Sequence, residues 1–147
     1  MNVRKFLTKE QKEEILNAIH AAEKLTSGEI RVHLESKCPG DALERAREVF
    51  QRLKMHETQL HNGALVYLAI TDRKLAIFGD EGINEVVADD FWENVKEDML
   101  KRFKEGAFAE GLCFAISQVG DKLKEYFPHQ EDDINELPDD ISMKDTD

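Results

Sequence analysis

Hydrophobic residues recur along the chain with two different periods, and each period predicts a different kind of element. Apolar side chains between Ile15 and Ala22 recur every three or four residues, which is the spacing of an amphipathic helix. Thr8 and Gln11 have the spacing of a capping box at its start, and Gly28 ends the pattern. The chain therefore begins with a well-delimited helix.

After this helix the period changes to two. Ile30, Val32 and Leu34 alternate with polar residues, as in a strand with one buried face. Residues 64–70 are apolar on both alternating faces, which indicates a central strand covered by helices on both sides. The turn TDRK leads from this strand into apolar residues 75–78, so the two strands are expected to form an antiparallel hairpin.

Three more segments have helical spacing: residues 41–55, 92–104 and 108–127. A right-handed crossover would make the first two strands parallel, and helices would cover both faces of the sheet. The sequence therefore predicts an α/β fold. It is a three-layer α/β/α sandwich around a small mixed sheet of about four strands, with a short fourth strand at residues 85–87.

Charge is unevenly distributed along the chain. The 147 residues carry a formal net charge of -11, and the last twenty hold eight acids and a single Lys. So polar a stretch buries too little apolar surface to offset the entropy lost on ordering. We therefore expect one domain over residues 1–128 and an acidic, disordered tail over residues 129–147. The alternative is that the tail binds a partner through Ile134, Leu137 and Ile141.

The same charge excludes some classes of partner. Nucleic acids and anionic membrane surfaces require clustered Lys and Arg, but here these residues are scattered among acids. The longest apolar run, GALVYLAI, is too short to span a bilayer, and the N-terminus lacks the apolar region of a signal peptide. Two cysteines in different predicted elements make no disulfide framework. We expect a monomeric cytoplasmic protein.

The stretch FGDEGINEVVADDFW places five carboxylates between an apolar strand and the start of a helix. Ca²⁺ and Mg²⁺ bind oxygen atoms of carboxylates, amides and backbone carbonyls, and the two glycines allow the loop to turn such atoms inward. The spacing is not that of an EF-hand. The sequence predicts a Ca²⁺ or Mg²⁺ site with ligands from Asp80, Glu81, Asn84, Glu85, Asp89 and Asp90.

These acidic residues also have simpler interpretations. Asp89 or Asp90 could cap the following helix, and Asp80 and Glu81 could be solvated turn residues. A cation would join this loop to the loop at residues 56–62, which the predicted topology places at the same end of the sheet. Three residues from that end are secondary candidates for ligands: Glu29, Glu57 and His61.

A second group of candidates lies at the opposite end of the sheet. Open α/β sheets bind ligands beyond the carboxyl ends of their parallel strands, and Asp41, Asp72 and Arg73 follow the first two strands. Asp72 could act as a metal ligand of a phosphatase and Arg73 as a phosphate clamp, with Asp41 as a further weak catalytic candidate. In the alternative interpretation, which we favour, Asp41 caps a helix and Asp72 forms a turn.

One face of the first predicted strand carries Arg31, His33 and Glu35. His33 could act as a general acid or base oriented by Glu35. We favour a solvated face of an edge strand instead.

The order of several motifs resembles that of the TPM domain family over residues 7–128. This family includes a thylakoid-lumen protein of photosystem repair and many bacterial proteins. The motifs are TSGEIRVHLES, NGALVYLAI, DRK, GDEGIN, FKEGAFAEGL and YFP. The resemblance implies an α/β/α sandwich. Some members are described as acid phosphatases, and divalent cations occur in acidic sites of the domain.

The chain also departs from the usual pattern of this family. Familiar members carry an N-terminal signal and often a C-terminal anchor or Gly-rich tail, and here Asp80 and Glu81 replace a common aromatic residue. We therefore expect a soluble, stand-alone module that binds Ca²⁺ or Mg²⁺ and has a regulatory or protein-interaction role. The alternative is a metal-dependent acid phosphatase.

Overall fold

A computed structural model describes residues 3–129 and 141–144 of the chain. In this part, no helix is long and apolar enough to cross a membrane. Short 3-10 turns lie at Val3–Lys5 and Met55–Glu57. The elements follow in the order α1 (Lys9–Glu23), β1 (Glu29–Glu35), α2 (Ala42–Arg52), β2 (Gly63–Ala69), β3 (Lys74–Gly79), α3 (Glu81–Asn84), α4 (Phe91–Lys104), α5 (Phe108–Tyr126) and β4 (Ile141–Lys144).

The four strands form one mixed sheet in the order β3-β2-β1-β4. β1 runs parallel to β2 and β4, and β2 and β3 form the antiparallel hairpin predicted from the TDRK turn. Every residue of β2 is buried, as expected for a central strand. The structure confirms the predicted α/β fold with a small mixed sheet.

Helices cover both faces of this sheet. The larger core lies between one face and the helices α1, α4 and α5, where Val32 and Val66 pack against residues such as Ile19 and Ile116. On the other face Leu65, Tyr67 and Ala76 pack against α2. The odd-numbered residues of β1 belong to the α2 face because side chains alternate along a strand. This face carries the polar cluster described below.

The predicted position of the fourth strand is wrong. Residues 85–87 form a turn after α3, because the backbone N–H groups of Val86 and Val87 donate back to the carbonyl of Ile83, at 3.0 and 3.1 Å. The fourth strand is instead Ile141–Lys144, and Ile141 is buried beside Val32.

Four residues of the predicted tail therefore belong to the sheet. Residues 130–140 and 145–147 lie outside the described residues, and Ile134 and Leu137 lie outside them as well.

Two helix caps predicted from the sequence are present in the structure. Gln11 N donates to Thr8 Oγ1 at 3.1 Å and Thr8 N donates to Gln11 Oε1 at 2.9 Å, which is the predicted capping box. Asp41 caps α2 by accepting from the backbone N–H of Glu44 at 3.0 Å. These caps satisfy backbone donors that the first turn of a helix leaves unpaired.

Candidate functional site

The acidic loop, residues 79–90, begins where β3 ends. Asp80 is the N-cap of α3, and its Oδ1 accepts from the backbone N–H of Glu81 at 2.8 Å. Gly82 follows, and its backbone N–H donates to the carbonyl of His61 at 2.8 Å. A Cβ at Gly82 would lie 2.1 Å from the carbonyl oxygen of Leu60, so only glycine fits this close approach of two loops.

The same approach brings His61 to Asp80. Nδ1 of His61 lies 3.4 Å from Oδ2 of Asp80, and the Asp80 side chain is 12% exposed. The predicted topology placed these two loops at one end of the sheet, and the structure joins them there. Glu29 is buried at the start of β1, whereas Glu57 is exposed on the Met55–Glu57 turn.

Asn84 is held by hydrogen bonds on both sides of its amide. Its Nδ2 donates to the carbonyl of Gly79 at 2.9 Å, and its Oδ1 accepts from Nε1 of Trp92 at 2.8 Å. A Cβ at Gly79 would lie 2.2 Å from the Trp92 ring, so the indole packs directly on the strand end. The amide oxygen of Asn84, predicted as a cation ligand, therefore accepts a hydrogen bond that joins α3 to α4.

The other four carboxylates of the acidic loop are exposed. Among the described residues, no Lys or Arg side chain makes an ion pair with Glu81, Glu85, Asp89 or Asp90. Asp90 occupies the N-cap position of α4 but its side chain makes no capping hydrogen bond. In the described part of the chain, no three His, Cys, Asp or Glu side chains are grouped closely enough to hold a metal ion.

At the opposite end of the sheet, Asp41 and Asp72 line one cavity of 570 Å³, called the carboxyl-end cavity here. Oδ2 of Asp72 accepts from the backbone N–H of Cys38 at 2.7 Å, and Asp41 caps α2. Arg73 does not line this cavity and lines a different groove. Two of the three residues predicted for phosphate chemistry are thus brought together.

A buried polar network borders the carboxyl-end cavity. Glu35 is 1% exposed and accepts two hydrogen bonds from Arg45, from Nε at 2.8 Å and from Nη2 at 2.9 Å. The hydroxyl of Tyr67 also donates to Glu35, and Nε2 of His33 lies 3.1 Å from the same carboxylate. Together with Ser142, whose Oγ lies 2.8 Å from His33 Nδ1, these residues form the Glu35 cluster.

The expectation of a solvated strand face is wrong for His33 and Glu35. Both are buried, because α2 covers this face of the sheet and β4 covers the edge of β1. His33 lies between Ser142 on β4 and Tyr67 on β2 in the strand register, and it stacks on the Tyr67 ring at 5.9 Å. The cluster therefore spans three strands and α2.

Hydrogen bonds set the charge of the cluster. Burial by itself would raise the pKa of Glu35, but the hydrogen bonds from Arg45, His33 and Tyr67 outweigh it and hold that pKa well below its usual range. Burial and the neighbouring Glu35 raise the pKa of Tyr67, and the hydrogen bonds to Glu35 raise that of Arg45. Glu35 is thus an ionised carboxylate whose negative charge is balanced by hydrogen bonds from neighbouring side chains.

Arg45 and Tyr67 were not predicted from the sequence as members of a polar cluster. One signal was available: Tyr67 carries the single hydroxyl within the otherwise apolar run ALVYLA, and a buried hydroxyl requires a partner. The partner carboxylate could not be deduced, because it depends on the register of β1 against β2.

A family model for the TPM domain matches residues 2–122. The chain belongs to the TPM domain family. This agrees with the resemblance stated from its motifs and with the α/β/α architecture. A search of curated proteins found no match to this TPM domain.

Solved structures similar to this TPM domain include the NMR structure of the BA42 protein from the psychrophilic bacterium Bizionia argentinensis. The two chains are 48% identical with a TM-score of 0.89, and the match covers 97% of this chain and 98% of that one. The N-terminal domain of the cg2496 protein from Corynebacterium glutamicum matches with a TM-score of 0.64 at 16% identity, over 80% and 74% of the two chains.

An N-terminal domain of a P. gingivalis protein matches with a TM-score of 0.66 at 20% identity, over 86% of this chain and 84% of that one. At 16% and 20% identity, the C. glutamicum and P. gingivalis domains show a shared fold alone.

Proposed function

We propose that this TPM domain is a divalent-cation-binding module that takes Ca²⁺ or Mg²⁺ in its acidic loop, with a regulatory or protein-interaction role. One observation carries the proposal: in the described residues, the carboxylates of Glu81, Glu85, Asp89 and Asp90 have no cationic partner. The fifth carboxylate, Asp80, has the imidazole Nδ1 of His61 at 3.4 Å from its Oδ2. Uncompensated carboxylates in one loop repel each other, and a doubly charged ion relieves that repulsion.

The donor atoms suit a hard cation, but the side chains do not converge on one point. Among the described residues no preformed group of three such ligands exists. Exposed Asp and Glu side chains change rotamer at little cost, so binding would be coupled to a rearrangement of the loop. Asp80 would be the fixed ligand, because it is mostly buried and is already held by the Glu81 N–H.

This rearrangement would change the protein surface around the acidic loop. Gly82 joins the acidic loop to the loop at residues 60–61, and Asn84 joins it to Trp92 of α4. A cation that reorganised the loop would therefore change the surface presented by α3, the start of α4 and His61. A protein partner that recognises this surface would respond to the cation.

The test is a titration of the protein with CaCl₂ and separately with MgCl₂, followed by amide NMR. We expect saturable shifts at residues 57–62 and 79–92 and little change elsewhere. EDTA should reverse them. A spectrum that stays unchanged at millimolar cation, or shifts confined to residues 38–45 and 72–74, would refute binding at the acidic loop.

The second candidate function is a metal-dependent acid phosphatase. The observation in its favour is that Asp41 and Asp72 line one cavity at the carboxyl ends of the parallel strands. Both carboxylates already accept backbone hydrogen bonds, and Arg73 lies in another groove, which favours the structural interpretation. Hydrolysis of p-nitrophenyl phosphate by the wild-type protein but not by Asp72→Ala would establish this function.

A further inference from the structure

A groove of 640 Å³ lies between the β2–β3 turn and the junction of α4 with α5. Leu68, Ile70 and Leu75 supply its sheet side, and Leu100 and Phe103 of α4 supply a wall. We call it the apolar groove. Its volume is within the range of sites that hold small organic ligands.

Two cations line the apolar groove, and no acidic residue does. These cations are Arg73 and Lys104. In the described part of the chain, neither side chain makes a hydrogen bond or an ion pair. The chain as a whole has 31 acidic and 20 basic residues, so a pocket that contains basic residues alone contrasts with the rest of the surface. The groove thus combines an apolar interior with unpaired positive charge.

The backbone conformation at two chain reversals places these two cations at the apolar groove. Arg73 lies in the β2–β3 turn with a φ of 53°, a left-handed conformation that Gly, Asn or Asp would adopt more readily. Lys104 is the last residue of α4, which ends in a Schellman motif: Ala107 N donates to Arg102 O at 2.9 Å and Gly106 N to Phe103 O at 3.0 Å. Gly106 supplies the left-handed residue of that motif, with a φ of 81°.

Aromatic contacts hold the wall of the groove beside Lys104. The ring of Phe108 lies 5.1 Å from that of Phe6 and 5.2 Å from that of Phe103. Phe108 nevertheless remains 36% exposed, so part of its apolar surface is left without a cover. An apolar ligand in the groove would remove this surface from water.

We propose that the apolar groove binds a small amphiphilic anion, a single-chain carboxylate such as a medium-chain fatty acid. The alkyl chain contacts Ile70, Leu100 and Phe103, and the carboxylate is held by Arg73 and Lys104. Charge-assisted hydrogen bonds to Arg are strong, and the long Lys stem can follow the alkyl chain while its ammonium reaches the head group. This site is separate from the acidic loop and requires no metal.

Titration with decanoate below its micellar concentration tests the proposal, with binding followed by amide NMR and calorimetry. We expect saturable shifts at Ile70, Leu100, Phe103 and Gly106. Arg73→Gln/Lys104→Gln should weaken binding by about tenfold or more, since two charge-assisted contacts are lost. Arg47→Gln/Lys101→Gln removes the same charge from exposed positions on other surfaces and should change the affinity less than about twofold.

Two further probes separate charge from apolar contact. Decyltrimethylammonium has a similar chain and the opposite charge, so it should bind about tenfold more weakly or worse. Ile70→Trp fills the groove and should abolish decanoate binding without lowering the thermal midpoint by more than a few degrees. Decanoate binding that persists in Arg73→Gln/Lys104→Gln or Ile70→Trp, equal binding of the cationic amphiphile, shifts elsewhere, or an unchanged spectrum would each overturn the proposal.

Discussion

The Glu35 cluster and the acidic loop use the same chemical group in opposite environments. Glu35 is one carboxylate, almost fully buried, with hydrogen bonds from three side chains. The acidic loop holds five carboxylates, and in the described residues the one basic side chain within 4 Å of any of them is the imidazole of His61. In the first arrangement the negative charge is balanced within the protein, and in the second four carboxylates have no cationic side chain as a partner in the described residues.

This difference explains which of the two we assign to function. Perturbed pKa values are often taken as a sign of an active site, but structural ion-pair networks perturb them as well. Glu35 has the perturbed pKa, yet its partners occupy its lone pairs and hold it anionic. The acidic loop has no such network. For this reason the proposed cation site is the acidic loop and not the Glu35 cluster.

Breaking the Glu35 cluster should have the largest effect. Arg45→Ala leaves a buried carboxylate without its main partner and should lower the free energy of unfolding by about 3–5 kcal/mol. Urea denaturation measures this change. Arg47→Ala, on the same helix but exposed and paired with Glu44, is the matched control and should cost less than about 0.5 kcal/mol. Equal losses in the two variants would mean that the cluster is not a structural centre.

Neutralising the acidic loop should change stability only when a cation is present. At a concentration about 100 times its Kd, Ca²⁺ or Mg²⁺ should raise the free energy of unfolding of the wild type by about 2.7 kcal/mol. Asp89→Asn/Asp90→Asn should lose most of this gain and, in EDTA, should be as stable as the wild type or slightly more stable. Thermal unfolding with and without cation provides the measurement.

The control for that variant is Glu97→Gln/Glu110→Gln, which removes two exposed carboxylates from α4 and α5. It should keep the full cation-dependent gain. If both variants lose this gain equally, the stabilisation depends on the net charge of the protein and not on the acidic loop.

The pH dependence of stability should distinguish Glu35 from an ordinary surface acid. Its folded-state pKa is lowered, so its contribution is complete above the unfolded pKa of about 4.3 and is lost as the pH falls towards the folded value. In that window Glu35 should contribute a slope of up to about 1.4 kcal/mol per pH unit. Denaturation of the wild type and of Glu35→Gln between pH 7 and 3 measures the free energy of unfolding against pH, and we expect the shallower slope in the variant. Equal slopes would mean that Glu35 has the same protonation in the folded and unfolded states.

The smallest change in stability is expected for a substitution at the edge of the Glu35 cluster, at Ser142. An ionised Glu35 only accepts hydrogen bonds, so Nε2 of His33 carries a proton and, in the neutral ring, Nδ1 accepts from Ser142. Ser142→Ala should cost about 1 kcal/mol and should speed hydrogen exchange at the β4 amides. Ser117→Ala, exposed on α5, should leave exchange in β4 as it is. Unchanged exchange in Ser142→Ala would show that β4 is held by its backbone alone.

Much of the fold followed from residues that are close in sequence. The capping box of Thr8 and Gln11, the apolar run of β2 and the TDRK turn each depend on local periodicity and turn chemistry, and all three appear as predicted. The placement of His61 and Asp80 at the same end of the sheet also followed, because a hairpin determines which strand ends meet; the contact between their side chains did not. The acidic loop was visible from composition, although the arrangement of its side chains was not.

Tertiary contacts decided the rest. The sequence ISMK alternates apolar and polar residues, but four residues within an acidic stretch are too short a run to predict a strand. It forms β4 because the edge of β1 offers unpaired backbone groups. Arg45 reaches Glu35 only when α2 packs on the sheet, and the apolar groove exists only where the β2–β3 turn meets the α4–α5 junction. Periodicity reports which side of an element is buried, but it carries no information about which distant residue lies opposite. Burial partners, compensated charge and cavities are therefore properties of the folded chain.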